Sequence, residues 1–148
     1  MNKIAENKQR KRLRLAQCAL YLFQILLCTF PYVVIPGGSS KYTVESVFSL
    51  LWMIITRADS TDAIGGFVKY IPLFFLVLIP VTGFFICALD KERNIKNVTS
   101  VIFCLVSIMF ILMMIPMSGM SLGAVLSILL YIIISFITTV AMLARLNP

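Results

Sequence analysis

The sequence has no histidine and only six acidic residues among 148, and charged residues make up 13% of the chain. Histidine, aspartate and glutamate supply most general acids, general bases and metal ligands, so their scarcity argues against an enzyme or a metal protein. No phosphate-binding glycine loop and no nucleophile motif is present. We therefore expect no catalytic activity, no cofactor and no bound metal.

The cysteines do not change this expectation. They form no C-x-x-C pair and lie within apolar stretches, at Cys18, Cys28, Cys87 and Cys104. Cysteines in such surroundings act as small buried hydrophobic residues, so we predict neither a metal site nor a disulfide framework.

The net charge of +7 does not indicate nucleic acid. Basic residues cluster beside long apolar runs, without the interleaved aromatic residues of a nucleic-acid surface. The cluster from Lys8 to Arg14, in a basic tail of residues 1–14, is instead expected to meet anionic lipid headgroups on the cytoplasmic face of a membrane.

Long apolar runs dominate the rest of the chain, which is 60% hydrophobic. About 20 apolar residues are needed to cross a lipid bilayer as a helix, and four runs reach that length. They cover residues 15–35, 67–88, 98–117 and 122–144. The sequence therefore predicts an all-α integral membrane protein, a four-transmembrane-helix bundle over residues 15–144 with a short cytoplasmic tail at 145–148.

A fifth apolar segment, residues 43–56, is too short to span the bilayer. Lysine and arginine favour cytoplasmic loops, and four crossings place ten of them inside and three outside. A fifth crossing would place only eight of these basic residues inside and five outside. We therefore predict a plasma-membrane protein with both termini cytoplasmic and a short interfacial or re-entrant helix on the outer side.

This short outer helix has apolar residues at helical spacing, with Thr43 as a plausible N-cap. The predicted face consists of Val44, Val47, Phe48, Leu51, Trp52 and Ile55. Because no strong charge lies opposite this face, we expect a lid over the outer ends of the four helices, or a surface for a partner, in preference to a simple lipid-surface helix.

Polar residues within the first apolar run recur at intervals of four, three and four, at Gln17, Tyr21, Gln24 and Cys28. Such a stripe faces other helices or a cavity. Two interpretations remain open: an intramembrane polar site for a ligand, or hydrogen bonding that holds helices together.

Small and hydroxyl residues recur every four positions in and before the last run. The four-residue row is completed by Tyr131, and the predicted packing face within it comprises Gly119, Gly123, Ser127, Ser135 and Thr139. Small residues allow another helix to approach closely, within the protein or from a second copy. Pro80 predicts a kink or a local helix break in the second run, because proline cannot donate to the carbonyl of residue 76 and its ring crowds that turn.

Two functions remain possible. The first is a non-catalytic accessory or scaffold subunit that engages a membrane protein or a second copy through its outer helix and its small-residue face. The alternative is a small channel or carrier for a neutral or lipidic molecule, although no intramembrane charge is present to couple transport. A membrane-permeabilising role fits less well because the basic cluster is N-terminal.

Overall fold

A computed structural model describes residues 3–36, 42–57, 63–89, 95–115 and 119–146. These residues form five helices and one two-stranded hairpin. The predicted helical class is confirmed, and the hairpin was not predicted. The elements are α1 (Lys3–Leu27), β1 (Pro31–Pro36), β2 (Tyr42–Ser46), α2 (Val47–Arg57), α3 (Ala63–Leu89), α4 (Ile95–Met114) and α5 (Leu122–Leu146).

The first apolar run is not one helix, so its predicted extent of 15–35 is wrong. Helix α1 ends at Leu27, and the chain enters β1 at Pro31. Proline has no backbone N–H to continue the helix and disfavours the helical conformation at the residue before it. The following Tyr-Val-Val-Ile stretch is aromatic and β-branched, which favours a strand.

The hairpin packs against the start of α5. Strand β1 pairs antiparallel with β2, with Val34 opposite Val44. Its other edge meets the segment before α5, where the Ser121 N–H donates to the Tyr32 carbonyl at 3.1 Å and Val33 forms a bridge with Met120. Strand β1 therefore has backbone partners on both sides.

Helix α2 begins later than predicted, because Thr43 and Val44 lie in β2. Ser46 is the N-cap in place of Thr43: its Oγ accepts the Ser49 N–H at 3.1 Å. The helix has 11 residues and rises about 16 Å, which is shorter than the apolar core of a bilayer at about 30 Å.

The four long helices pack in a ring, in which α1 and α4 each contact both α3 and α5. Two stretches are long and apolar enough to cross a membrane, Ile71–Leu89 in α3 and Leu122–Leu143 in α5, each with mean hydropathy 2.5. Helix α4 has a shorter apolar stretch, Asn97–Met113. Only 33% and 22% of the residues in the apolar windows of these two stretches are buried, and the others are half-buried or exposed.

Polar side chains lie inside the protein, and large apolar side chains cover its surface. The buried polar residues are Gln17, Gln24, Asn97, Ser100, Ser107, Ser127 and Thr138. Phe23, Phe85, Met109 and Phe136 are each more than half exposed. The buried polar residues lie among a hydrophobic core that includes Leu76, Ile111 and Ile134, and the exterior is rich in large apolar side chains.

Of the two outcomes predicted at Pro80, a kink or a local break, the break is not found in α3. The helix continues through Pro72 and Pro80 to Leu89. Pro80 leaves the Leu76 carbonyl without its usual N–H donor. The Cys28 thiol lies 3.9 Å from that carbonyl oxygen and 3.4 Å from the Gln24 carbonyl, and it can donate to either. Neighbouring helices supply such donors to proline-containing membrane helices.

This contact gives a prediction for Cys28 and Pro80. Pro80→Ala restores the N–H that bonds the Leu76 carbonyl, so the Cys28 thiol is no longer needed there. Cys28→Ala should therefore destabilise the wild type by about 0.5 kcal/mol more than it destabilises the Pro80→Ala variant. Unfolding free energies of the four proteins in mixed micelles measure this difference. Equal effects in the two backgrounds would show that the thiol does not serve this carbonyl.

Candidate functional site

The predicted polar stripe of α1 lies inside the ring of helices. Gln17, Tyr21, Gln24 and Cys28 are all 2% exposed or less. Their 4-3-4 spacing places Gln17, Tyr21 and Gln24 on one side of α1, and Cys28 continues the row just past its end. Helix α1 packs against α3 and α5, and Tyr21 reaches Ser100 of α4. The structure therefore brings all four together in one buried layer, where their partners can be identified.

The N-terminal half of the stripe, Gln17 and Tyr21, is hydrogen-bonded to other helices. Gln17 Nε2 donates to Thr138 Oγ1 of α5 at 2.8 Å, and Thr138 Oγ1 donates to the Ile134 carbonyl at 2.6 Å. The Tyr21 hydroxyl hydrogen-bonds to Ser100 Oγ of α4 and lies 4.0 Å from Cys104 Sγ. These bonds connect α1 to both α4 and α5.

The C-terminal half of the stripe connects α1 to the hairpin. Gln24 Nε2 donates to Ser127 Oγ of α5 and to the Tyr32 hydroxyl at 3.5 Å. Tyr32 lies in β1, beyond the end of α1, and is 1% exposed. Burial raises the pKa of its phenol above the usual value, so the hydroxyl stays protonated. Gln24 therefore joins α1, α5 and the hairpin at one point.

Two glycines permit this close packing. A Cβ atom at Gly83 of α3 would lie 2.6 Å from the Tyr21 ring. A Cβ atom at Gly123 of α5 would overlap the carbonyl oxygen of Pro31 in β1. Gly83 thus gives Tyr21 its position, and Gly123 allows the hairpin to lie against α5.

The predicted small-residue face is divided between the inside and the outside. Gly123 and Ser127 are buried against β1 and α1, so they are used within the protein. Gly119 precedes α5, Ser135 is half-buried and Thr139 is exposed. A four-residue step turns 400° around a helix, so the row leaves the buried side along α5.

The predicted face of the outer helix is also divided. Val47 and Leu51 are buried, whereas Phe48, Trp52 and Ile55 are 41%, 68% and 59% exposed. The sixth predicted member, Val44, is exposed on β2. Helix α2 therefore has an apolar side toward the protein and a second apolar stripe, Phe48, Trp52 and Ile55, pointing away from it.

Several residues of the buried layer were absent from the predicted site. They are Tyr32, Ser100, Cys104, Ser107, Tyr131 and Thr138. In α4 the spacing of Ser100, Cys104 and Ser107 by four and three repeats the pattern of α1 and could have identified this face. Tyr32 gave no such signal, because its contact with Gln24 depends on the turn after α1.

The layer can donate and accept hydrogen bonds, but it has no charged group among its described buried residues. The residues that the structure describes contain no cluster of histidine, cysteine or acidic side chains able to hold a metal ion. Comparisons with protein-family models, curated proteins and solved structures found no match.

Proposed function

We propose that the protein is a non-catalytic integral membrane protein, an accessory or scaffold subunit that binds a membrane-protein partner through the outward apolar stripe of α2. In this proposal α1, α3, α4 and α5 cross the membrane as a four-helix bundle with both termini cytoplasmic. The hairpin and α2 form a cap on the outer side. The observation that carries the proposal is the apolar character of α2 on both of its sides.

The packing supports a membrane bundle. The exterior is apolar, and seven buried side chains are polar. Five of them form hydrogen bonds between helices: Gln17, Gln24, Ser100, Ser127 and Thr138. Interhelical hydrogen bonds and small residues at contacts are what associate helices in lipid. The largely apolar part of α1 runs from Leu15 to Leu27, which is 13 residues. The arginines before it have long side chains that can extend to the lipid headgroups.

The outward stripe of α2 supports a partner. Its three large apolar side chains, Phe48, Trp52 and Ile55, lie on a helix too short to span. Interfacial helices that rest on lipid present a strongly charged or polar face to water. From Val47 to Thr56, α2 has no charged residue, so water contact on either side is unfavourable. Another apolar surface on the outer side would cover the stripe.

Site-specific photocrosslinking tests this proposal. A photoreactive phenylalanine analogue at Trp52 should capture a discrete protein in native membranes, because Trp52 is 68% exposed at the centre of the stripe. Phe136 of α5 is a matched control, because it is 69% exposed on a helix whose surroundings are expected to be lipid. Mass spectrometry then identifies the captured protein as another chain or as a second copy.

A discrete protein adduct at Trp52 and none at Phe136 is the expected result. Adducts to lipid alone at both positions, in protein that is inserted and folded, would contradict a stable partner at α2.

A channel or carrier for a neutral molecule is the second candidate. It is favoured by the buried polar residues that run through the helices from Asn97 to Tyr32. Most of these side chains are hydrogen-bonded to one another. Groups that already bond across helices stabilise the packing and are not available to a passing molecule, so the subunit is the better-supported function.

A further inference from the structure

The two strands of the hairpin differ at their outer edges. Strand β1 pairs with β2 on one side and bridges to Met120 on the other. Among the residues that the structure describes, β2 pairs with β1 only. Natural proteins protect such an edge with lysine, proline or a bulge. Strand β2 has neither lysine nor proline, and the register shift of the hairpin lies in β1. The edge of β2 is therefore open to another strand.

The pairing pattern shows which backbone groups of β2 lie at this edge. In an antiparallel ladder, alternate residues exchange both of their backbone bonds with the partner strand. Pro36 pairs with Tyr42 but has no N–H, so this pair cannot exchange two bonds. The residues of β2 that bond to β1 in this register are therefore Thr43 and Glu45. The N–H and C=O of Val44 point the other way, to the open edge.

A second copy of β2 fits this edge. With a two-fold axis at Val44, the Val44 N–H of each copy donates to the Val44 carbonyl of the other. Val44 is the middle residue of β2, so this register pairs the strand over its whole length. The Val44 side chain is 51% exposed and lies opposite Val34 of its own chain. The pairing would continue this apolar row across both copies, which stabilises a sheet.

Glu45 selects the direction and the register of the pairing. Like charges on neighbouring strands are destabilising when they lie directly opposite. A parallel pair in register, or an antiparallel pair centred on Glu45, would bring the two Glu45 side chains together. The register centred on Val44 places Glu45 opposite Thr43 of the second copy, so the two carboxylates are kept apart.

We propose that two copies of the chain associate through their β2 edges, as an antiparallel pair centred on Val44. The two hairpins then form one continuous sheet across the dimer, in which neither copy leaves an open edge. This surface is distinct from the outward stripe of α2, so the dimer does not depend on the proposed function.

Disulfide formation between copies tests the register, in a protein whose four natural cysteines are replaced. Val44→Cys should give a disulfide-linked dimer on mild oxidation in lipid bilayers, because opposite Cα atoms in a bonded pair are about 5.5 Å apart. Thr43→Cys alone should give little, because its two copies lie diagonally at about 7 to 8 Å. A mixture of Thr43→Cys chains and Glu45→Cys chains should form a linked pair, because these positions lie opposite each other.

Two results of this experiment would overturn the proposal. One is a Val44→Cys protein that remains monomeric or forms an adduct only with a different protein in native membranes. The other is an equal yield from Thr43→Cys alone and from the mixture, because the copies would then not meet in the register centred on Val44.

Val44→Pro tests the backbone bonds. Proline removes the N–H at the open edge and leaves the bonds of Thr43 and Glu45 to β1 in place. Native mass spectrometry from mixed micelles should show a dimer for the wild type and a monomer for Val44→Pro, with unchanged helical circular dichroism. Val44→Thr is the matched control, because it keeps the N–H and a β-branched side chain and should remain dimeric. A monomeric wild type, or a Val44→Pro protein that stays dimeric, would overturn the proposal.

Discussion

Gly123→Ala should separate the outer hairpin from α5 and lower the unfolding free energy by an amount at the upper end of about 1 to 3 kcal/mol. The added methyl would occupy the position of the Pro31 carbonyl oxygen and would also crowd the Tyr32 ring. The overlapped Pro31 oxygen belongs to the backbone, so no change of side-chain rotamer can relieve the overlap. The hairpin must move, which weakens the bond between Gln24 and the Tyr32 hydroxyl.

Denaturant unfolding in mixed micelles measures this loss, and protease sensitivity of the hairpin locates it. Val125→Ile is the matched control, because it adds one methylene two residues away on the same helix at a position that is 44% exposed. The control should leave stability nearly unchanged. If Gly123→Ala is as stable as the control, the close packing of the hairpin on α5 is wrong.

Gln24→Leu should have the second-largest effect on stability and should lower the unfolding free energy by about 1 to 3 kcal/mol. The substitution removes one hydrogen bond between α1 and α5 and one between α1 and the hairpin. Both partners, Ser127 Oγ and the Tyr32 hydroxyl, lose their bond to the amide. The effect is large because Gln24 holds α1, α5 and the hairpin together.

Gln17→Leu provides the comparison on the same helix. Gln17 makes one bond, to Thr138, and the Thr138 hydroxyl keeps its own bond to the Ile134 carbonyl. We therefore expect a loss of only about 0.6 kcal/mol. If both substitutions lowered the unfolding free energy equally in the same experiment, Gln24 would not connect α1 to both α5 and the hairpin as described.

Periodic patterns in the sequence predicted the long helices and the buried side of α1. Gln17, Tyr21, Gln24 and Cys28 recur at helical spacing, so one side of the helix could be identified without a structure. The same spacing in α4 was available at Ser100, Cys104 and Ser107. Patterns of this kind indicate which side of a helix is buried, but they do not indicate which residue of another helix it meets.

The hairpin was missed because hydrophobicity does not distinguish a buried strand from a helix in a short apolar run. The strand begins at Pro31 and ends at Pro36, and these two prolines were the only indication in the sequence that the helix stops before this segment. Of the kink or break expected at Pro80, the break did not occur: α3 continues through Pro80, and the Cys28 thiol lies beside the Leu76 carbonyl that lacks its helical donor. That contact joins residues 48 positions apart, which local reasoning cannot anticipate.

The central claim is that α2 stays on the outer side while the four long helices cross the membrane. Labelling of single cysteines with a membrane-impermeant thiol reagent tests it, in a protein whose four natural cysteines are replaced. Three positions suffice: Lys11 before the apolar part of α1, Thr56 on the exposed side of α2, and Glu92 in the sequence between α3 and α4.

In intact cells the account predicts labelling of Thr56→Cys alone, with Lys11→Cys and Glu92→Cys labelled only after the membrane is permeabilised. If α2 crossed the membrane, every later segment would change sides, and Glu92→Cys would be labelled in intact cells. Labelling of Glu92→Cys without permeabilisation, while Lys11→Cys remains protected, would contradict the four-crossing arrangement.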